Sequence, residues 1–153
     1  MLKFLLENPA TTFLHKARNI VFAISIIVVW VMLSATTLQA AKFGQFPFFA
    51  PVNPFYGFFS LCILAPLWEE LAFRYGPLRI SKVLGKETLI PTMLVSSIIF
   101  GLGHGSVDNI LIQGVAGFVL CCLYLKNNYS YISCVITHAS WNLLVAYILP
   151  LFF

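Results

Sequence analysis

Uncharged, mostly apolar runs occupy residues 20–41, 55–68, 88–103, 109–125 and 127–153, each set off from the next by charges or by Gly, Pro and Asn clusters. A helix needs about 20 such residues to cross ~30 Å of hydrocarbon, so a chain of 153 residues holds about five spans and no separate soluble domain. The expected fold is all-α, a polytopic membrane helical bundle. The first run follows Lys3, Lys16 and Arg18 as a signal peptide's core would, but it is too long for one. Residues 38–41 also make a poor cleavage site, so it is read as a span.

Composition agrees with the pattern: 60% of residues are hydrophobic and 9% charged, where a soluble domain carries about a quarter charged. The nine Lys and Arg residues set the orientation. With the N-terminus in the cytoplasm, all but Lys42 fall on the inner side, which supports an odd number of spans. The net charge of +4 is therefore a topological signal, and no nucleic-acid partner is implied. Cys62, Cys121, Cys122 and Cys134 lie inside spans without C-x-x-C spacing and are read as packing residues.

Outside the spans, residues 1–9 suit a short helix on the cytoplasmic surface, ending at Pro9. Residues 42–57 are dense in Phe and Pro and suit a headgroup-level aromatic belt, with a lid over lateral substrate access as the alternative. Gly101 and Gly105 form a G-x-x-x-G step. With Gly114 and Gly117 they predict close approach of the third and fourth helices.

Against this apolar background a few polar residues stand out. Glu69 and Glu70 follow the second run directly, His104 closes the third, and His138 lies inside the fifth with Asn142 one turn beyond on the same face. An ionised carboxylate in hydrocarbon costs ~2.5 kcal/mol or more, so the glutamates need partners or a wet cavity. One reading puts Glu70 and Arg74, four residues apart, in a salt bridge at the water interface. The other brings Glu69, Glu70, His104, His138 and Asn142 together from three helices.

The second reading has a height problem. With the inner surface near Lys86, His104 stands ~27 Å up its helix, and Glu69 matches it only if the second helix continues through Gly76 and Pro77 toward Val83. Chemically the set suits hydrolysis. A carboxylate in a low-dielectric pocket is poised as a general base, so Glu69 would take a proton from a water held by His104. His138 and Asn142 would donate to the oxyanion, and Glu70 with Arg74 would fix the helix and local charge. Ser96, Ser97 and Ser140 read as packing hydroxyls, which favours water as nucleophile. No cofactor is firmly implied. A divalent metal such as zinc, on Glu69, His104 and His138, stays open although H-E-x-x-H is missing.

Glu69-Glu70-x-x-x-Arg74, Phe100-x-x-x-His104 and His138-x-x-x-Asn142 resemble, in order, the three motifs of the CAAX-protease and bacteriocin-processing (CPBP or ABI) intramembrane endopeptidases. The resemblance implies a single protease domain over residues 1–153, with 1–18 interfacial and 55–150 as catalytic core. It implies a glutamate-dependent protease of a membrane-anchored protein or peptide: a CAAX-like, sorting-tail or bacteriocin-type substrate. By motif position Glu69 is the base, His104 its partner, His138 and Asn142 the oxyanion donors, and Glu70, Arg74 and Phe100 supporting residues. Tyr75 intervenes before Gly76 and Pro77 where many members read Arg-Gly, and the chain lacks the extra N-terminal spans of larger members. A short prokaryotic member in the cytoplasmic membrane fits those departures. The competing classes are a non-catalytic binding or immunity protein with the same fold and an ion-handling bundle; the oligomeric state is open.

Overall fold

The computed structural model describes Leu6, residues 9–37 and residues 54–148. The short helix expected before the first span and the aromatic loop after it lie largely outside these residues. Among the described residues the regular elements are helices, and five principal ones follow the five apolar runs. They are α1 (Phe13–Thr37), α2 (Phe55–Leu84), α3 (Leu89–Leu102), α4 (Ile110–Lys126) and α5 (Tyr131–Ile148). α1, α2 and α5 are long and apolar enough to cross a membrane, and α4 is a shorter apolar helix.

Helix ends follow local chemistry. α1 starts ahead of its apolar run because Thr12 Oγ1 accepts from the His15 amide, which brings Lys16 and Arg18 onto the first turns. α5 starts at Tyr131 and not at Asn127, since Ser130 caps it by accepting from the Ser133 amide. Asn127 is instead buried, bonding Asn19 across the bundle at 2.8 Å.

The largest departure is α2, which runs unbroken past Trp68 to Leu84. Its charges do not end it. Glu70 and Arg74 are fully buried inside the bundle, so the expected salt bridge forms, but away from the water interface.

Leu78 from α2, Leu89 and Met93 from α3, Leu120, Cys121 and Tyr124 from α4, and Cys134 from α5 form the main core. Ile27, Ala116 and Trp141 form a smaller one between α1, α4 and α5. Outward faces are apolar, with Phe22, Val29, Leu33, Val83 and Val95 exposed, while Glu70, Arg74, Asn127, Thr137 and His138 are buried. Polar groups inside and apolar groups outside is the arrangement lipid demands.

The glycine pairs divide in function. A Cβ on Gly101 would lie 2.7 Å from the Ile110 backbone, and one on Gly114 would lie 3.0 Å from the Ser97 carbonyl, so both allow α3 and α4 to touch. Gly105 does not pack: a Cβ there would meet nothing, and its φ of 98° marks it as a turn residue. The G-x-x-x-G expectation is corrected to that extent. The four cysteines are free.

Candidate active site

α2 carries two π-helical segments, Ser60–Leu64 and Leu71–Tyr75, each close before a proline, Pro66 and Pro77. Such widened turns strip carbonyls of their usual donors. The Ala65 amide bonds Ser60, and Pro66, five residues past Leu61, has no N–H; the Leu61 carbonyl instead accepts from Asn142 Nδ2 on α5 at 2.9 Å. Pro77 likewise cannot serve Phe73 four residues back, and the Phe73 carbonyl accepts from the Ser96 hydroxyl on α3. A third carbonyl, Leu67, keeps its helical bond from the Leu71 amide and also accepts from the Tyr131 hydroxyl at 2.7 Å. The irregular backbone of α2 is thus what fastens α3 and α5 beside the glutamates.

Between these ties lies a charged cluster. His138 Nδ1 is 2.7 Å from Glu70 Oε1, and its Nε2 is 3.6 Å from Glu69 Oε2. Arg74 Nη1 lies 3.3 Å from the same Glu70 oxygen. Glu70 is fully buried, whereas the Glu69 side chain keeps 30% exposure. An ionised carboxylate only accepts, so the Nδ1 contact puts a proton on that nitrogen and turns Nε2 toward Glu69.

Arg74 is held as much by carbon as by oxygen. Its Cζ sits 4.1 Å from the centroid of the Phe100 ring, and its Nε, Nη1 and Nη2 make no aligned hydrogen bond among the described residues. Gly117 of α4 backs it: a Cβ there would come within 2.8 Å of Nη2 and 3.0 Å of the Phe100 ring.

The same ring links the motifs. His104 stands edge-on to Phe100 at 4.7 Å and His138 at 5.9 Å. His104 Nδ1 is 2.8 Å from the Phe100 carbonyl, which leaves Nε2 as its outward nitrogen, and Asn109 Nδ2 bonds the His104 carbonyl at 2.7 Å. Among the described residues no ion pair joins His104 to either glutamate.

Arg74, His104 and His138 therefore share the Phe100 ring, and Glu69 and Glu70 join them through His138 and Arg74. Asn142 is set apart on the Leu61 carbonyl, with its second amide N–H not used by that bond. Among the described residues no group of three or more His, Cys, Asp or Glu side chains is placed to hold a metal ion. Sequence reasoning missed Gly117 as a neighbour of Arg74. It also missed the Leu61 and Phe73 carbonyls, for which the prolines of α2 were the available signal, and the Leu67 carbonyl, for which there was none.

Residues 51–144, more than half of the chain and including all three motifs, match the family described as type II CAAX prenyl endopeptidase Rce1-like. No curated protein and no solved structure matches.

Proposed function

The chain belongs to the type II CAAX prenyl endopeptidase Rce1-like family, and on that premise we propose that it hydrolyses a peptide bond of a membrane-associated protein or peptide with water activated by Glu69. The observation that carries this reading is the imidazole of His138 standing between a partly exposed and a buried glutamate.

The two glutamates divide the work by environment. Glu69, the partly exposed one, can meet water and acts as general base, a role worth roughly 10²–10⁴-fold in rate. Glu70, sealed between Arg74 and His138, keeps the imidazole oriented with Nε2 toward the reacting side. As Glu69 takes the water proton, the hydroxide adds to the scissile carbonyl, and His138, which this role requires to be doubly protonated, donates its Nε2–H to the new oxyanion. The second N–H of Asn142 supplies a further donor, each such donor being worth ~3 kcal/mol. Glu69 then passes its proton to the departing amine, which balances the step. His104, with Nδ1 turned to the Phe100 carbonyl, offers Nε2 to orient the water. The substrate in this reading carries a CAAX-like or sorting-type tail, and the setting is a prokaryotic cytoplasmic membrane.

The test is cleavage of a membrane-anchored peptide with a CAAX-type tail by purified protein in liposomes. Glu69→Gln should abolish it; undiminished cleavage by that variant would remove the mechanism.

A further inference from the structure

Beyond the active site, α2 ends in two cations set on tyrosine rings. Arg79 and Lys82 are three residues apart on one helical face, and both are exposed. Arg79 Nε donates to the Tyr124 hydroxyl at 3.4 Å, and its Cζ lies 5.4 Å from the Tyr75 ring and 5.9 Å from the Tyr129 ring. Lys82 Nζ lies 4.2 Å from the Tyr129 ring. Among the described residues neither cation has a carboxylate partner within ion-pair distance.

Tyr129 is maintained there at a cost. Its φ of 57° is a left-handed conformation that a bulky residue seldom adopts, and Asn128 before it has the same value. The Tyr129 amide bonds the Tyr124 carbonyl at 2.7 Å, and the two rings meet edge to face at 5.5 Å. Strain retained in this way is a pointer to use. An aromatic face steadies a cation without neutralising it, so the arrangement presents two fixed positive charges.

We propose that Arg79, Lys82 and Tyr129 form a binding site for the phosphate of an anionic phospholipid at the inner membrane surface. The end of the bundle that carries them also carries Lys16, Arg18, Lys86 and Lys126, the side that the basic-residue count places in the cytoplasm. There an anionic leaflet attracts each basic side chain. With Nε on Tyr124, the two terminal nitrogens of Arg79 are left to fork onto a phosphodiester, with the Lys82 ammonium beside them. The wall of the site is joined to the catalytic region, since Tyr75 leans on Tyr131 at 5.9 Å and Tyr131 holds the Leu67 carbonyl.

The experiment counts lipids retained by purified protein in neutral detergent, by native mass spectrometry, during titration with dioleoyl-phosphatidylglycerol. Dioleoyl-phosphatidylcholine and inorganic phosphate are the comparison probes. The expected result is retention of phosphatidylglycerol, no comparable retention of phosphatidylcholine, and no competition by phosphate at equal concentration. Lys82→Gln should weaken retention about tenfold, Arg79→Gln at least as much, and Tyr129→Leu, which removes a ring and no charge, by several-fold. Among the described residues Lys82 meets the Tyr129 ring at the surface, so its variant and Tyr129→Leu decide the matter if Arg79→Gln does not fold. Unchanged retention in both would overturn the site. So would an equal loss in Lys86→Gln, which would show a diffuse surface field, or competition by phosphate, which would show a soluble anion.

Discussion

His138 Nδ1 and Glu70 Oε1 meet at 2.7 Å where both side chains are shut off from solvent. That contact joins α5 to α2 and fixes which imidazole nitrogen faces Glu69. Glu70 also carries the only carboxylate in contact with the buried Arg74 among the described residues, so one oxygen serves both an orienting and a charge-balancing role.

The two adjacent glutamates should therefore respond differently to the same change. Glu70→Gln leaves a buried guanidinium uncompensated and should cost ~3–5 kcal/mol of stability as well as activity. Glu69→Gln should abolish cleavage while changing stability by no more than about 1 kcal/mol, because that side chain keeps access to water. Thermal unfolding in detergent beside cleavage in liposomes separates the two. Equal destabilisation by both would contradict the division of roles.

Gly117 lies outside the three motifs, yet its missing side chain is the space Arg74 occupies. Gly117→Ala should displace the guanidinium from Phe100 and Glu70, costing ~1–3 kcal/mol and lowering kcat at least tenfold. Gly105→Ala is the control. It meets no neighbour, is strained only by its positive φ, and should lose ~1 kcal/mol or more of stability with kcat retained. A Gly117→Ala enzyme with unchanged kcat would show that Arg74 has slack there.

Asn142 is tied to the Leu61 carbonyl, and the proposed donor role needs its other N–H. Asn142→Ala should lower kcat roughly 10²–10³-fold with little change in KM, the mark of a contact made in the transition state. If the amide is only a tether, unfolding shifts by ~1 kcal/mol and kcat stays within a few-fold. Steady-state kinetics and unfolding on the same preparation distinguish these outcomes.

The apolar runs made the helices legible, and the scarcity of charge made the polar set conspicuous. The end of α2 was not legible, because Glu70 and Arg74 neutralise each other inside the bundle where isolated charges would mark an interface. Once α2 is continuous to Leu84, the condition for Glu69 to stand as deep as His104 is met. The partners of Asn142, Ser96 and Tyr131 were invisible for a different reason. They are backbone carbonyls: those of Leu61 and Phe73 are exposed at π turns whose register depends on packing that side-chain identity does not encode, and that of Leu67 accepts a second bond beside its helical one.

The Ser96 bond to the Phe73 carbonyl can be tested through the proline that makes it necessary. Ser96→Ala should cost ~1–2 kcal/mol, since a buried carbonyl loses its donor. In a Pro77→Ala background residue 77 regains an N–H placed four residues after Phe73, and the helix supplies its own donor. Ser96→Ala should then cost little, so the double-mutant cycle should show ~1 kcal/mol of coupling between residues that do not bond each other. Strict additivity would mean that Pro77 does not free this carbonyl, and the account of how α2 fastens α3 beside the glutamates would fail with it.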